Sequence, residues 1–187
     1  MINDNILSFW EDKIGHLSEA QAEFILEKLE QCKPSQCLEI GFAGGSHTYC
    51  ILETFAPEKM VSLDIDFDYQ QGRRKIDDIK EKFENCVFVE QDSKTALTQE
   101  FMSEHFPEGI DYVFVDGGHQ YNDAMSDMSN VFPFLKEGGI MIVDDYQSKV
   151  CPLEGVDRAV RDFSEQSGNA FETVSLQDGK GMAVFVK

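Results

Sequence analysis

Five short apolar runs recur along the chain, each separated from the next by a stretch long enough for a helix. They read QCLEIG (36–41), MVSLDI (60–65), CVFVE (86–90), DYVFV (111–115) and GIMIVD (139–144). Near-continuous apolar runs mark strands covered on both faces, and strands alternating with helices build a parallel sheet through right-handed crossovers. The end of the chain breaks this alternation. FETVSL and GMAVFVK are separated only by QDGK, and Asp178-Gly179 is a strong hairpin signal. The expected fold is α/β, doubly wound and mostly parallel, ending in an antiparallel hairpin.

The helices between the strands are partly legible. Residues 3–13 suit a short helix. In LSEAQAEFILEKLEQCKP, Ser18 and Gln21 make a capping box, Phe24, Ile25, Leu26 and Leu29 an apolar face, and Pro34 a stop. Tyr121, Met125, Met128 and Phe132 recur at helical spacing, with Asp123 and Asp127 off that stripe, which reads as core packing. Val156, Val160 and Phe163 share one face of a later helix.

Charge narrows the partners. Sixteen Lys and Arg against 35 Asp and Glu leave −19, a surface that repels phosphate backbones and anionic membranes. Neither nucleic acid nor a membrane is expected. No apolar run reaches the roughly 20 residues needed to cross a bilayer, and the first residues lack the basic and apolar segments of a signal peptide. The five cysteines, Cys32, Cys37, Cys50, Cys86 and Cys151, include no CxxC pair. Cys37, Cys50 and Cys86 lie in apolar stretches and read as small core residues of a cytoplasmic protein.

In an open parallel sheet, ligands bind beyond the carboxyl ends of the strands. Acids fall there repeatedly. EIGFAGGSHT gives Glu39 with Gly41, Gly44 and Gly45, and the following strands give Asp64, Asp92, Asp116, and Asp144 with Asp145. Any one of these could cap a helix. A convergent set repels itself unless a cationic cofactor or a metal ion sits among it. The glycines do not match GxGxxG, and there is no Walker lysine, so phosphate cradling is poorly supported. Asp64 after the second strand suits a ribose diol, and Asp92 after the third can accept from an adenine amine. A nucleoside without phosphates fits best.

On these residues the chain resembles class I S-adenosylmethionine-dependent methyltransferases, whose seven-stranded Rossmann-like sheet ends in such a hairpin. Glu39, Gly41 and Gly45 match the family's first motif, with Ala43 at its middle glycine. The resemblance implies that Asp64 holds the ribose and that Asp92 and Ser93 border the adenine. It implies a division into N-terminal helices on the substrate side (residues 1–34) and a cofactor-binding domain (residues 35–187). DYVFVDGGHQYNDAMSDMSNVFPFLKEGGIMIVDDY followed by EGVDRAV is similar to the small-molecule O-methyltransferase branch, of macrocin and catechol type. Three ligands of a divalent ion would by this resemblance be Asp116, Asp144 and Asp145, and their oxygen donors would suit Mg2+. The lysine of the catechol-like members is replaced by His119, as in the macrocin type, which turns the expected acceptor toward sugars.

The expected activity is methyl transfer to a hydroxyl of a small molecule, with Asp116 and His119 as catalytic residues and His119 taking the acceptor's proton. Plain structural readings stand beside these: His119 as a helix-start residue, Asp144-Asp145 as a strand-ending turn, Tyr121 and Tyr146 as packing instead of acceptor-pocket lining. His16, His47 and His105 are given no role. A metal-independent transferase on the same fold and a non-catalytic nucleoside-binding domain remain open. With so short an N-terminal addition, a second copy in a homodimer is expected to help close the pocket.

Overall fold

The computed structural model describes residues 2–10, 17–150 and 152–187. Positions 11–13 of the first expected helix, with His16 and Cys151, lie outside the described residues. In chain order the elements are α1 (Asp4–Phe9), α2 (Glu19–Leu29), β1 (Gln36–Ile40), α3 (Ser46–Phe55), β2 (Lys59–Asp64), α4 (Gly72–Lys82), β3 (Cys86–Glu90), α5 (Ser93–Ala96), α6 (Gln99–His105), β4 (Ile110–Val115), α7 (Tyr121–Val131), β5 (Leu135–Asp144), α8 (Glu154–Ser167), β6 (Phe171–Ser175) and β7 (Gly181–Val186).

The seven strands form one sheet in the order β3-β2-β1-β4-β5-β7-β6. The first five are parallel, and β7 runs antiparallel to both β5 and β6. This is the Rossmann-like methyltransferase fold that the alternation and the closing hairpin lead one to expect. The hairpin turns through Gly179, whose φ of +85° suits glycine. Strand β5 begins four residues earlier than its apolar run, because Leu135 pairs with Ile110 across a register irregularity before the regular ladder starts at Ile140.

Strand side chains alternate between the faces. Leu38, Ile40, Val113, Val115, Met141 and Val143 pack against Met128 of α7 and Val156, Val160 and Phe163 of α8. Cys37, Tyr112, Phe114, Ile140 and Ile142 face the other way, toward Ile25 and Leu29 of α2 and Cys50 and Ile51 of α3. The capping box of Ser18 and Gln21 forms as read from the sequence. Cys37 and Cys50 are core thiols whose burial drives their pKa upward, to about 12 for Cys50. Among the described residues no helix is long and apolar enough to cross a membrane.

Order in the sheet reverses between β1 and β4, since β1 continues to β2 on one side and meets β4 on the other. The carboxyl ends of these strands open the crevice in which the acids collect.

Candidate active site

At the switch point lies a cleft of about 460 Å³, within the ordinary range for small-molecule sites. Its shape depends on one glycine. Gly41 has φ +93°, and a Cβ there would lie 1.9 Å from the carbonyl oxygen of Asp116. The chain leaving β1 therefore presses directly on the chain leaving β4. Gly45 starts α3, also left-handed, and does not line the cleft; its missing side chain makes room for the Phe42 ring. Ala43 does line it.

Glu39 requires a correction. Its side chain points into the protein and not to the rim, and it is 1% exposed. One oxygen takes a hydrogen bond from Thr48, and the other lies 2.8 Å from His47 Nδ1. His47 Nε2 meets the Tyr112 hydroxyl at 2.9 Å, and the imidazole stacks on Phe114. A tautomer with its proton on Nδ1 satisfies all three groups. Glu39 and His47 thus brace the β1–α3 junction from beneath. The sequence offered no cue beyond their spacing of eight, which spans the glycine turn.

Asp64 faces the cleft and grips the glycine loop. Its Oδ2 accepts from the backbone N–H groups of Phe42 (2.7 Å) and Ala43 (3.1 Å), and its Oδ1 accepts from Asp66 (3.0 Å). Asp92 caps α5, accepting from the Lys94 N–H, and with Ser93 it lines the same end of the cleft. Lys94 pairs with Asp123 of α7 at 2.7 Å across that end. Gln70, absent from the sequence reading, also reaches the cleft.

The other end gathers Asp116, His119, Asp144, Asp145 and Lys180. His119 Nε2 lies 3.9 Å from Asp116 Oδ1 and 3.6 Å from Asp145 Oδ2. One ligand atom from each of these three residues can be chosen so that all lie within 4.8 Å of one another. This convergent trio differs from the one expected. Asp144 lines the cleft wall but does not join the trio, and His119 stands in its place. Asp144 is 5% exposed, and its Oδ1 accepts from Gln21 Nε2 at 2.6 Å, which ties it to α2.

Electrostatics at this end follow from burial and crowding. Burial raises the pKa of Asp144 well above the carboxylate range, and Asp116 and Asp145 add to the rise. Burial lifts Asp145 as well. Asp116 is raised by burial while His119 pulls it back, and 35% of its side chain meets the open cleft, so water moderates the effect. His119 is raised above 6.5, first through its interaction with Asp116 and then, against partial burial, by the charges of Asp116 and Asp145. Lys180, delivered by the closing hairpin, draws all three aspartates down. Nothing in the sequence linked the hairpin turn to this cluster.

Neither tyrosine considered for the acceptor pocket lines the cleft. Tyr121 donates its hydroxyl to Asp162 under the guanidinium of Arg158, and Tyr146 packs edge-on against Phe171.

Comparison with known proteins places the fold. A family model described as a methyltransferase domain matches residues 38–146. An SAH-bound methyltransferase from Podospora anserina superposes with a TM-score of 0.79 at 15% identity, over 99% of this chain and 88% of that one. An O-methyltransferase from Bacillus cereus in complex with SAH gives 0.74 at 14% identity, over 100% and 93%. The O-methyltransferase TomG from Streptomyces achromogenes, involved in tomaymycin synthesis and solved with SAM, gives 0.74 at 15%, over 100% and 90%. Uncharacterized protein R132 of Acanthamoeba polyphaga mimivirus is 42% identical over 41 residues, which are 22% of this chain and 19% of that protein. The match therefore spans less than a fifth of that relative's length.

Proposed function

Because the chain belongs to the methyltransferase-domain family, we propose that it transfers the methyl group of S-adenosylmethionine to a hydroxyl of a small, hydroxyl-rich molecule such as a sugar. The observation that carries this reading is the two-ended cleft. One end, with Asp64, Asp92 and Ser93, offers acceptors for a nucleoside; the other gathers three aspartates and a histidine where an acceptor would sit. S-adenosylmethionine supplies an electrophilic methyl group on a positively charged sulfur, and an acid-rich crevice favours that charge.

The protein's own work is then alignment and proton removal. Asp145 and Asp116 flank His119 Nε2 and raise its affinity for a proton, so it can take the proton of an acceptor hydroxyl. Acceptor-only carboxylates suit a neutral polyol, whose hydroxyls are donors, better than an anionic substrate.

The trio of Asp116, His119 and Asp145 also suits a divalent ion. Two carboxylates and one imidazole favour a first-row transition ion over Mg2+, which prefers oxygen ligands. Bound there, such an ion would lower the pKa of an acceptor hydroxyl. His119 Nε2 cannot hold an ion and accept a proton at once, so the two readings separate experimentally.

Calorimetry with S-adenosylmethionine and S-adenosylhomocysteine tests the cofactor, and repeating it with Mn2+, Mg2+ or chelator tests the ion. A screen of hydroxylated metabolites with radiolabelled methyl donor tests the acceptor. Absence of binding to both nucleosides sinks the proposal, whereas tight binding with no labelled product from any hydroxylated acceptor favours a nucleoside-binding module.

A further inference from the structure

His119 and Asp145 belong to different segments, yet their side chains meet at 3.6 Å. His119 lies in the loop between β4 and α7, and Asp145 in the turn that leaves β5. That turn is unfavourable by itself. Asp145 (φ 60°) and Gln147 (φ 55°) are both left-handed without being glycine, and such residues persist only where surrounding structure enforces them. Two contacts do so here. The Gln147 N–H donates to Asp157 Oδ1 of α8 at 2.6 Å. From the other side, a Cβ on Gly181 would lie 2.2 Å from the Tyr146 carbonyl oxygen, so β7 presses directly on the backbone of the turn.

The loop carrying His119 is held by the same part of α8. A Cβ on Gly155 would lie 2.6 Å from the His119 carbonyl oxygen and 2.8 Å from the Tyr121 nitrogen. No side chain fits there, so helix and loop meet backbone to backbone. Alanine forms helices better than glycine, and the close approach, not helical propensity, accounts for glycine at this position. Gly155 and Asp157 both lie in the first turn of α8, and neither lines the cleft. We infer that this turn positions the acceptor end of the site: Gly155 seats the loop that carries His119, Asp157 fixes the turn that carries Asp145, and together they set the distance between the two side chains. Gly155 and Asp157 are positioning residues, acting through His119 and Asp145, whether that pair removes a proton or holds an ion. Because both contacts come from one rigid helical turn, a change at either moves one segment against the other.

This inference rests on the methyltransferase reading of the cleft, and the test separates the two. Wild type, Gly155→Ala, Asp157→Ala and Asp157→Asn are compared well below their melting temperatures. Calorimetry measures S-adenosylhomocysteine affinity, and a radiolabelled methyl donor gives kcat and KM for an acceptor found in the screen of hydroxylated metabolites. Gly155→Ala should lose about a hundredfold in kcat, the scale expected of a misplacement of about 1 Å. Its S-adenosylhomocysteine affinity and its acceptor KM should stay near wild type, because the Asp64 and Asp92 end is untouched and only transition-state alignment is lost. Asp157→Ala removes one solvent-accessible hydrogen bond, should fold as wild type does, and should lose about tenfold in kcat with the same pattern. Asp157→Asn keeps an oxygen for the Gln147 N–H and should recover most of that loss. Wild-type kcat in both alanine variants overturns the inference and leaves the proposed function standing, as does a kcat that falls only in parallel with S-adenosylhomocysteine affinity. An Asp157→Asn variant as impaired as Asp157→Ala overturns the role given to the Gln147 hydrogen bond. A wild type that binds no S-adenosylhomocysteine, or methylates no hydroxylated acceptor, overturns the proposed function and this inference with it.

Discussion

Replacing Asp127 by asparagine should make the protein more stable at neutral pH and leave it nearly unchanged in acid. Asp127 lies on α7 with no exposed surface, and neither carboxylate oxygen has a hydrogen-bond partner among the described residues. It is pressed against the loop leaving β4: a Cβ on Gly117 would lie 3.1 Å from its Oδ2. Burial pushes its pKa from 3.8 to about 6; the Ser93 hydroxyl, which makes no well-formed hydrogen bond to it, opposes the rise and Asp123 adds to it. In the unfolded chain the proton leaves near the ordinary value, so between pH 3.8 and about 6 the native state binds more protons than the unfolded one. Stability from this group is therefore complete below pH 3.8, falls as pH rises through that interval, and stays reduced above it. At about 1.4 kcal/mol per pH unit, the loss approaches 3 kcal/mol. Asparagine fills the same space and cannot ionise. Urea denaturation of both proteins at pH 4.5, 6 and 8 isolates the term, because the other carboxylates titrate in both and cancel in the difference. Asp127→Asn should gain about 2–3 kcal/mol at pH 8 and come within about 1 kcal/mol of wild type at pH 4.5. A difference that does not change with pH would refute the reasoning.

Gly41→Ala should be among the most damaging single changes, because a Cβ would meet the Asp116 carbonyl at 1.9 Å on a backbone with φ +93°; a loss of at least about 3 kcal/mol in urea unfolding is expected, and a soluble variant with wild-type stability would contradict the close approach. His47→Phe keeps an aromatic ring over Phe114 but leaves buried Glu39 without its Nδ1 partner. It should cost about 3 kcal/mol, and adding Glu39→Gln should recover part of that in a double-mutant cycle. If His119 removes the acceptor's proton, kcat/KM rises with pH through a midpoint above 6.5, since Asp116 and Asp145 hold its proton. Asp145→Asn removes one of those charges, so the midpoint should move to lower pH; an unmoved limb would show that His119 is not the group being titrated.

Sheet, helices and hairpin were largely legible because their signals are local: apolar runs, a capping box, and Asp178-Gly179 between two strands. The rim acids Asp64, Asp92 and Asp116 could be located because the topology fixes where strands end. Burial of particular polar groups could not be read in this way. Asp127 lies off the Tyr121–Met125–Met128–Phe132 stripe, so helical periodicity gave no sign of its burial, yet it is fully buried with Gly117 of the β4 loop close against it. Glu39 had the opposite fate. It belongs to β1 itself, where side chains alternate between the faces, and its face is the one roofed by α3. Gln70 and Lys180 lie in turns, and no periodicity predicts where a turn side chain will reach.

Asp144 and Asp145 show the same limit at the smallest scale. As neighbours in sequence they look interchangeable, and both seemed fit to join one ligand set. Strand β5 ends on Asp144, which is still in register with Met182 of β7, and its carboxylate is held by Gln21 from α2. Asp145 is the first residue off the strand, with φ +60°. That left-handed step, unusual for a residue with a side chain, turns Asp145 toward His119 Nε2 at 3.6 Å, while Asp144 stays in the wall. Two adjacent carboxylates on a continuing strand would have pointed to opposite faces, with only one at the site. The left-handed step keeps both at the same end of the cleft in different roles: one fixes α2 to the sheet, and the other joins the trio at which proton removal or ion binding is proposed.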